Sequence, residues 1–237
     1  VFSPLRLVSA SLADSFSDFS GYFVSADYYR QRAQELEDEL AELRADMVDY
    51  EQMKQKLTTY EQFLEVKEQN PDYTFAPGAV IARDSADLYY SFVLDCGSDD
   101  GVSVNDPVIF GSYLAGVVKE VRSSSCVVKT FLDPSVHVSA YEVRSREEGF
   151  VSGQTDLAMD GECRLSGLSR NTAVAEGGIV CTSGVGGIYP RDLILGSVRE
   201  VVDETTDVSS YAVLVPGIDF HELTDAFVLI DFAGKGE

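Results

Sequence analysis

The chain has 237 residues, of which 45% are hydrophobic, so a sizeable core can form and wholesale disorder is excluded. Its formal net charge of -22 makes bare nucleic acid a poor partner, because affinity for phosphate backbones comes from clustered Lys and Arg. The same charge disfavours direct adhesion to an anionic lipid surface. No stretch approaches the roughly 18 consecutive apolar residues that span a bilayer.

A heptad pattern occupies residues 25–69, where apolar side chains recur every seven residues and two more follow at a spacing of four. This is the a/d pattern of a coiled-coil helix. The helix ends before Pro71, because proline biases Asn70 away from helical angles. We therefore predict an N-terminal helix over residues 1–70 that forms a homodimer, or higher assemblies, through a heptad seam. The predicted seam residues are Leu36, Leu40, Leu43, Met47, Tyr50, Leu57 and Leu64. The alternative is one amphipathic helix lying along its own β-domain.

After Asp72 the composition changes to short runs of Val, Ile, Tyr and Phe separated by Gly, Ser and Asp. Such spacing predicts short strands in small barrels or sandwiches. Residues 116–121 resemble residues 196–201, eighty positions later, which favours two copies of one supersecondary unit. The predicted fold is mainly β, with a coiled coil followed by two small β-barrel-like domains over residues 73–146 and 147–237. Residues 144–149 form the predicted polar hinge, and the C-terminal strand is free to return to the first domain.

The four cysteines Cys96, Cys126, Cys163 and Cys181 do not form a C-x-x-C motif. Their spacing argues against a zinc ribbon or a thioredoxin-type redox pair. If all four pair, three disulfide connectivities are open. Four free core thiols are the simpler interpretation.

A glycine-rich run is the most distinctive local sequence. Its marked residues are Thr182, Ser183, Gly184, Gly186, Gly187, Tyr189 and Pro190. One interpretation is a serine nucleophile at Ser183, for which only His137 and His221 could serve as base. No G-x-S-x-G elbow is present, however. The simpler interpretation is that the glycines permit positive φ in a tight hairpin, which can also present backbone donors to a partner.

Four aspartates in one turn region invite a calcium interpretation: Asp95, Asp99, Asp100 and Asp106. The EF-hand spacing fails, because Gly97 stands at a ligand position and Asp100 at the obligatory glycine. Solvated turn carboxylates are the better explanation. We therefore expect no metal, no cofactor and no catalytic residue.

The order of the motifs resembles the extracytoplasmic part of the rod-shape-determining protein MreC family, over nearly the whole chain. The motifs that carry the resemblance follow the coiled coil in the order Asp95-x-Gly97-x-x-x-Gly101-Val102, Leu114-x-Gly116-x-Val118, Gly149-Phe150-Val151-Ser152-Gly153, Thr182-Ser183-Gly184-Val185-Gly186-Gly187-Ile188-Tyr189-Pro190 and Leu195-Gly196-x-Val198. The resemblance implies a single-pass membrane anchor upstream of Val1 and a domain that faces the cell wall.

The resemblance further implies a non-enzymatic scaffold of the cell-elongation machinery, which organises peptidoglycan synthesis and maintains cell shape. The implied partners are penicillin-binding proteins, MreB and MreD. Two other functions stay open from the residues. A secreted two-barrel serine hydrolase would be labelled at Ser183 by a fluorophosphonate probe. An adaptor of a secretion or efflux assembly would show a paired antiparallel helical hairpin.

Overall fold

The computed structural model describes residues 5–84, 86–203 and 209–236, with side chains described from residue 28 onward except at positions 52, 55, 59, 62, 63 and 65. Helix α1 spans Leu5–Gln69 without interruption. It ends where Asn70 donates both its backbone N–H and its side-chain amide to the Val66 carbonyl. No second long helix pairs with it within the described part of the chain. The chain divides into two compact units, residues 1–56 and residues 57–237.

In its described residues, the second unit contains the C-terminal end of α1, twelve strands and one short helix. The strands are β1 (Thr74–Arg83), β2 (Phe92–Leu94), β3 (Pro107–Phe110), β4 (Tyr113–Val121), β5 (Cys126–Thr130), β6 (His137–Glu142), β7 (Glu148–Gly153), β8 (Cys163–Ser169), β9 (Ile179–Thr182), β10 (Ile194–Asp203), β11 (Ser209–Pro216) and β12 (Asp225–Asp231). Helix α2 spans Thr155–Ala158. A 3-10 turn covers Ser98–Asp100.

The strands are linked in the order β11-β8-β7-β6-β9-β10-β4-β3-β12-β1-β2-β5, and two additional pairings close this array on itself. The β4–β5 pairing closes a first circuit of six strands, β4-β3-β12-β1-β2-β5. The β10–β11 pairing closes a second circuit of six strands, β11-β8-β7-β6-β9-β10. One parallel bridge, Ile194 to Tyr113, joins the two circuits. Closure removes the free edges that an open sheet would expose.

The buried side chains form one hydrophobic cluster inside the two circuits. Alternation along the strands explains their burial, since successive residues of a strand face opposite sides of the sheet. Strand β5, for example, alternates between buried and partly buried residues. The helix contributes Val66 to the same cluster. Other members include Phe92, Leu94, Ile109, Leu114 and Val228 in the first circuit and Val138, Val151, Leu165, Leu195 and Leu214 in the second.

The predicted fold class is confirmed at the level of a mainly β protein with a six-stranded barrel and one N-terminal helix. The domain boundary differs from the predicted one. Strand β6 pairs with β7 and β9, so it belongs to the second circuit although the sequence analysis placed it before residue 146. Residues 143–147 are the tip of the β6–β7 hairpin and not a hinge. Strand β12 returns to pair with β1 and β3 of the first circuit.

Candidate functional site

The glycine-rich run forms a closed loop between β9 and β10, which we name the motif loop (residues 182–190). Thr182 is fully buried and fastens the base of this loop. Its hydroxyl donates to the Pro190 carbonyl at 2.5 Å and accepts from the Leu193 N–H at 2.9 Å. One side chain therefore holds both ends of the loop together.

The three glycines of the motif loop all have positive φ: 81° at Gly184, 91° at Gly186 and 62° at Gly187. These angles confirm the prediction that the three glycines adopt positive φ. A Cβ at Gly184 would also lie only 3.2 Å from the Cβ of Arg191. The loop can therefore turn sharply at three points, and it does so close to the start of β10.

The motif loop buries one of its large side chains and exposes two others. Tyr189 is buried, and burial raises the pKa of its phenol. Val185 and Ile188 point outward, with 62% and 42% of their surface exposed. An anchored base with an apolar tip is a geometry suited to contact with another protein.

Ser183 makes local hydrogen bonds at the base of the motif loop. Its side chain is buried, its N–H donates to the Ser139 carbonyl, and its Oγ accepts from the Val185 N–H at 3.3 Å. His137 lies edge-on to a phenyl ring in β7, and His221 packs edge-on against Tyr90. Among the residues that the structure describes, no hydrogen bond joins Ser183 to either histidine.

A charged cluster lies beside the motif loop and was not foreseen from sequence. The guanidinium carbons of Arg146 and Arg191 lie 5.4 Å and 4.9 Å from the ring centroid of Tyr141. The Tyr141 hydroxyl donates to Asp192. This hydrogen bond, together with burial, raises the pKa of Tyr141. The cluster thus ties the loop's C-terminal flank to the β6–β7 hairpin.

The C-terminal tail links the motif loop to the first circuit. Gly236 donates its N–H to the Gly187 carbonyl at 3.0 Å. The neighbouring Lys235 Nζ lies 2.7 Å from Oδ1 of Asp106, a carboxylate whose side chain is only 1% exposed. Asp106 also accepts the Ser103 N–H. A loop of the second circuit is therefore held by the same tail that neutralises a buried charge in the first.

A groove lies between the circuits, which we define by its central residues Tyr90, Phe220 and His221. Two adjoining cavities of about 360 Å³ and 450 Å³ share these three side chains. Tyr90 stacks on Phe220 with ring centroids 6.2 Å apart. Met159 stands exposed at the edge of the groove. No sequence motif marked this groove, because its residues come from distant segments of the chain.

All seven predicted seam residues lie on the solvent-exposed surface of α1, with exposed fractions between 46% and 67%. The last two, Leu57 and Leu64, belong to the second compact unit. Further exposed apolar residues accompany them on the helix: Tyr28, Tyr29, Val48, Met53 and Tyr60. The predicted seam residues are therefore all exposed side chains of α1.

Asp95, Asp99 and Asp100 are exposed, as the solvated-turn interpretation predicts, whereas Asp106 is buried against Lys235, so the prediction is wrong for Asp106. Asp100 accepts the Gly97 N–H across the 3-10 turn, and Asp95 accepts the Ala79 N–H. Among the described residues, no cluster of three or more His, Cys, Asp or Glu side chains is placed to hold a metal ion. In the same residues, no helix combines the length and apolarity that crossing a membrane requires.

Comparison with known proteins matches this architecture to one family. The family model for the barrel core of the rod shape-determining protein MreC matches residues 80–230. The cell shape-determining protein MreC of Listeria monocytogenes is 26% identical over 241 residues, which cover 100% of this chain and 78% of that protein. The Cereibacter sphaeroides protein of the same name is 24% identical, over 86% of this chain and 63% of its own length.

Solved structures agree with the fold. An MreC structure from Listeria monocytogenes superposes with a TM-score of 0.62 at 27% identity, over 87% of this chain and 98% of that one. The MreC chain in a complex with the penicillin-binding protein PBP2 of Helicobacter pylori superposes with a TM-score of 0.52 at 16% identity, over 67% and 99%. With the family model covering most of the β-region, the chain belongs to the rod shape-determining protein MreC family.

Proposed function

We propose that this chain is a non-enzymatic scaffold of the cell-elongation machinery, which dimerises through its helix and positions peptidoglycan synthesis enzymes with its β-region. The observation that carries the proposal is the heptad seam. Seven large apolar side chains at a/d spacing remain about half exposed in the folded chain. Burying such a stripe against a second copy is the ordinary way to stabilise it.

The other parts of the proposal rest on family membership. The relatives are cell shape-determining proteins, and one solved relative is bound to a penicillin-binding protein. We propose penicillin-binding proteins, MreB and MreD as partners, a membrane anchor outside this sequence, and an extracytoplasmic position for the part described. The helix would set the spacing and the oligomeric state, and the two circuits would act as small barrels that present binding surfaces.

The seam is tested by placing charge on it. Leu40→Glu combined with Met47→Glu puts two carboxylates into the apolar seam, where a paired helix would have to desolvate them. We expect the dimer to become a monomer at micromolar concentration, measured by light scattering. The matched control is Gln31→Glu with Ala45→Glu, which adds the same charge at positions off the stripe and should leave the mass unchanged. A dimer that persists in the seam variant would reject this interface.

For the partner surface we propose the exposed tip of the motif loop. Val185 and Ile188 are held outward by a base that Thr182 closes, so they can contact a partner without a large ordering cost. Val185→Asp with Ile188→Asp should weaken binding of a purified penicillin-binding protein at least tenfold in a titration. Ile81→Asp, at an exposed site in β1, is the control. Equal affinities for both variants would place the partner elsewhere.

A further inference from the structure

Two of the four cysteines lie side by side where β2 meets β5. Leu94 in β2 is the register partner of Cys126 in β5. Cys96 follows two residues later, and a Cβ at Gly78 would meet both its sulfur at 2.7 Å and the Leu94 Cβ at 3.1 Å, so the Cys96 side chain lies beside that of Leu94. Both cysteines are buried, with 2% and 1% of their surface exposed. The strand register therefore brings two thiols from different hairpins into one pocket of the first circuit.

The backbone holds these segments together beyond the end of β2. Ser98 donates its N–H to the Arg122 carbonyl at 2.9 Å, and Asp99 donates to Ser123 at 3.0 Å. A Cβ at Gly97 would lie 2.3 Å from the Arg122 oxygen, so only glycine allows this approach. The segment that carries Cys96 is thus pressed against the β4–β5 hairpin next to Cys126.

The two thiols interact directly. The neighbouring thiol, together with burial, raises the pKa of Cys96, whereas the Cys96 thiol lowers the pKa of Cys126. Cys126 is therefore the sulfur that more readily becomes the thiolate, the form that attacks a disulfide or another oxidant.

We propose that Cys96 and Cys126 form a site of reversible oxidation, at which a disulfide bond joins the β1–β2 hairpin to the β4–β5 hairpin. A disulfide needs Cβ atoms that face one another at about 4 Å, and the register places Cys96 diagonally from Cys126 across the β2–β5 pair, within reach of that geometry. The two thiols give up two protons and two electrons, and one S–S bond forms. The co-reactant is a two-electron oxidant, either a small disulfide that becomes two thiols or a diazene that becomes a hydrazine.

The remaining cysteines provide internal controls. Cys163 lies in β8 of the second circuit, where it is the register partner of Leu214 and its sulfur lies 4.0 Å from the Leu214 carbonyl. Cys181 lies in β9, and burial, with Asp192 nearby, raises its pKa to about 11. Among the described residues, only Cys96 and Cys126 are placed to react with each other.

The test is oxidation of the folded, fully reduced protein with diamide, followed by alkylation in denaturant and mass spectrometry. We expect two of the four thiols to escape alkylation, a mass lower by two hydrogens, and a proteolytic peptide that joins positions 96 and 126. Cys163→Ser with Cys181→Ser should retain the bridge. Cys96→Ser should abolish it, and dithiothreitol should reverse it.

Alkylation of all four thiols after oxidation, or a bridge that includes Cys163 or Cys181, would overturn the proposal. The wild-type peptide map decides this even if Cys96→Ser fails to fold. A second readout is the thermal midpoint. The bridge closes a loop of about 30 residues, so the oxidised protein should melt several degrees above the reduced one. An unchanged thermal midpoint after oxidation would contradict the proposal, because it would show that no stabilising disulfide forms in the folded first circuit.

Discussion

The two circuits have the same order of six paired strands, but the chain enters and leaves them at different strands. In both, a short strand pairs with a longer one at an equivalent glycine: Val108 with Gly116 in the first circuit and Val180 with Gly196 in the second. In both, the longer strand then pairs with the next one, and its register shifts shortly after the glycine. The repeated sequence around Gly116 and Gly196 is therefore the trace of a repeated β-unit.

The difference lies in how each circuit closes. The second circuit uses consecutive strands, β6 to β11, whereas the first circuit takes β1 to β5 and completes itself with β12 from the chain's end. Strand β12 occupies the place that β6 has in the second circuit. The β6–β7 hairpin thus has no counterpart, since β12 and β1 are the last and first strands. Each circuit buries a carboxylate near this point. In the second circuit it is Glu142 of the β6–β7 hairpin, and in the first it is Asp106, which contacts the C-terminal tail.

The largest effect should come from the shared glycines. A Cβ at Gly116 would lie 2.1 Å from the Lys129 oxygen, and one at Gly196 would lie 2.1 Å from the Val215 oxygen. Gly116→Val and Gly196→Val should each lower the free energy of unfolding by about 4 kcal/mol, because the clash is with backbone that cannot move cheaply. Urea unfolding followed by circular dichroism measures both.

Equal losses in the two variants would support the equivalence of the circuits. Ser197→Ala, at an exposed site next to Gly196, should change the unfolding free energy by no more than about 0.5 kcal/mol. If one glycine variant were as stable as this control, the repeat would be a sequence likeness without a shared structural cause.

A smaller effect should appear only in the first circuit. Lys235→Ala removes the cation that pairs with buried Asp106 and leaves that carboxylate with the Ser103 N–H. The second circuit has Gly178 at the matching position, where the backbone carbonyl accepts from Val198 as Asp106 accepts from Val118. We expect a loss of about 2 kcal/mol in unfolding free energy, because a buried charge is left uncompensated.

The double variant Lys235→Ala with Asp106→Asn separates charge from packing. It should recover most of the loss, since an uncharged amide needs no cation. A double variant as unstable as Lys235→Ala alone would mean that the tail acts through its contact with the motif loop and not through Asp106.

Local patterns made much of this fold predictable. The heptad spacing and the stop at Pro71 gave the helix and its C-terminal end, since both depend on residues close in sequence. Runs of Val, Ile, Tyr and Phe predicted short strands after Asp72, and one such run, residues 107–110, forms β3. The positive φ of the motif-loop glycines was predictable, because it depends on the residue type at each single position.

The rest depends on contacts that no local pattern contains. The apolar run over residues 89–94 forms a strand only from Phe92, because the Asp87 carboxylate accepts the N–H groups of Tyr89 and Ser91 and holds a turn. Tyr90 in that turn has a φ of 58°. The groove contact of Tyr90 with Phe220 and the tail contact of Lys235 with Asp106 join residues more than 100 positions apart, which periodicity cannot reveal. The return of β12 was an open option in the sequence, and its pairing with β1 and β3 decides it.

The smallest effect should distinguish the second circuit by its response to acid. Glu142 is buried at the end of β6. Burial alone raises the pKa of its carboxyl, but hydrogen bonds from Ser145 and Arg144 and the charge of Arg144 outweigh it, so the pKa lies below its ordinary value. A lowered folded pKa means that the carboxylate stabilises the fold above the unfolded pKa of about 4.3, and that this stability is lost as pH falls through the folded pKa.

Glu142→Gln should therefore cost about 1 kcal/mol of unfolding free energy at pH 7 and less as the pH falls below about 4, where the wild type loses the same contribution. Urea unfolding at both pH values measures the difference, with the exposed Glu148→Gln as the matched control. A cost that stays constant with pH would mean that Glu142 acts through shape and not charge. Because the β6–β7 hairpin is the element that the first circuit lacks, that result would leave Asp106 and Lys235 as the electrostatic difference between the two circuits.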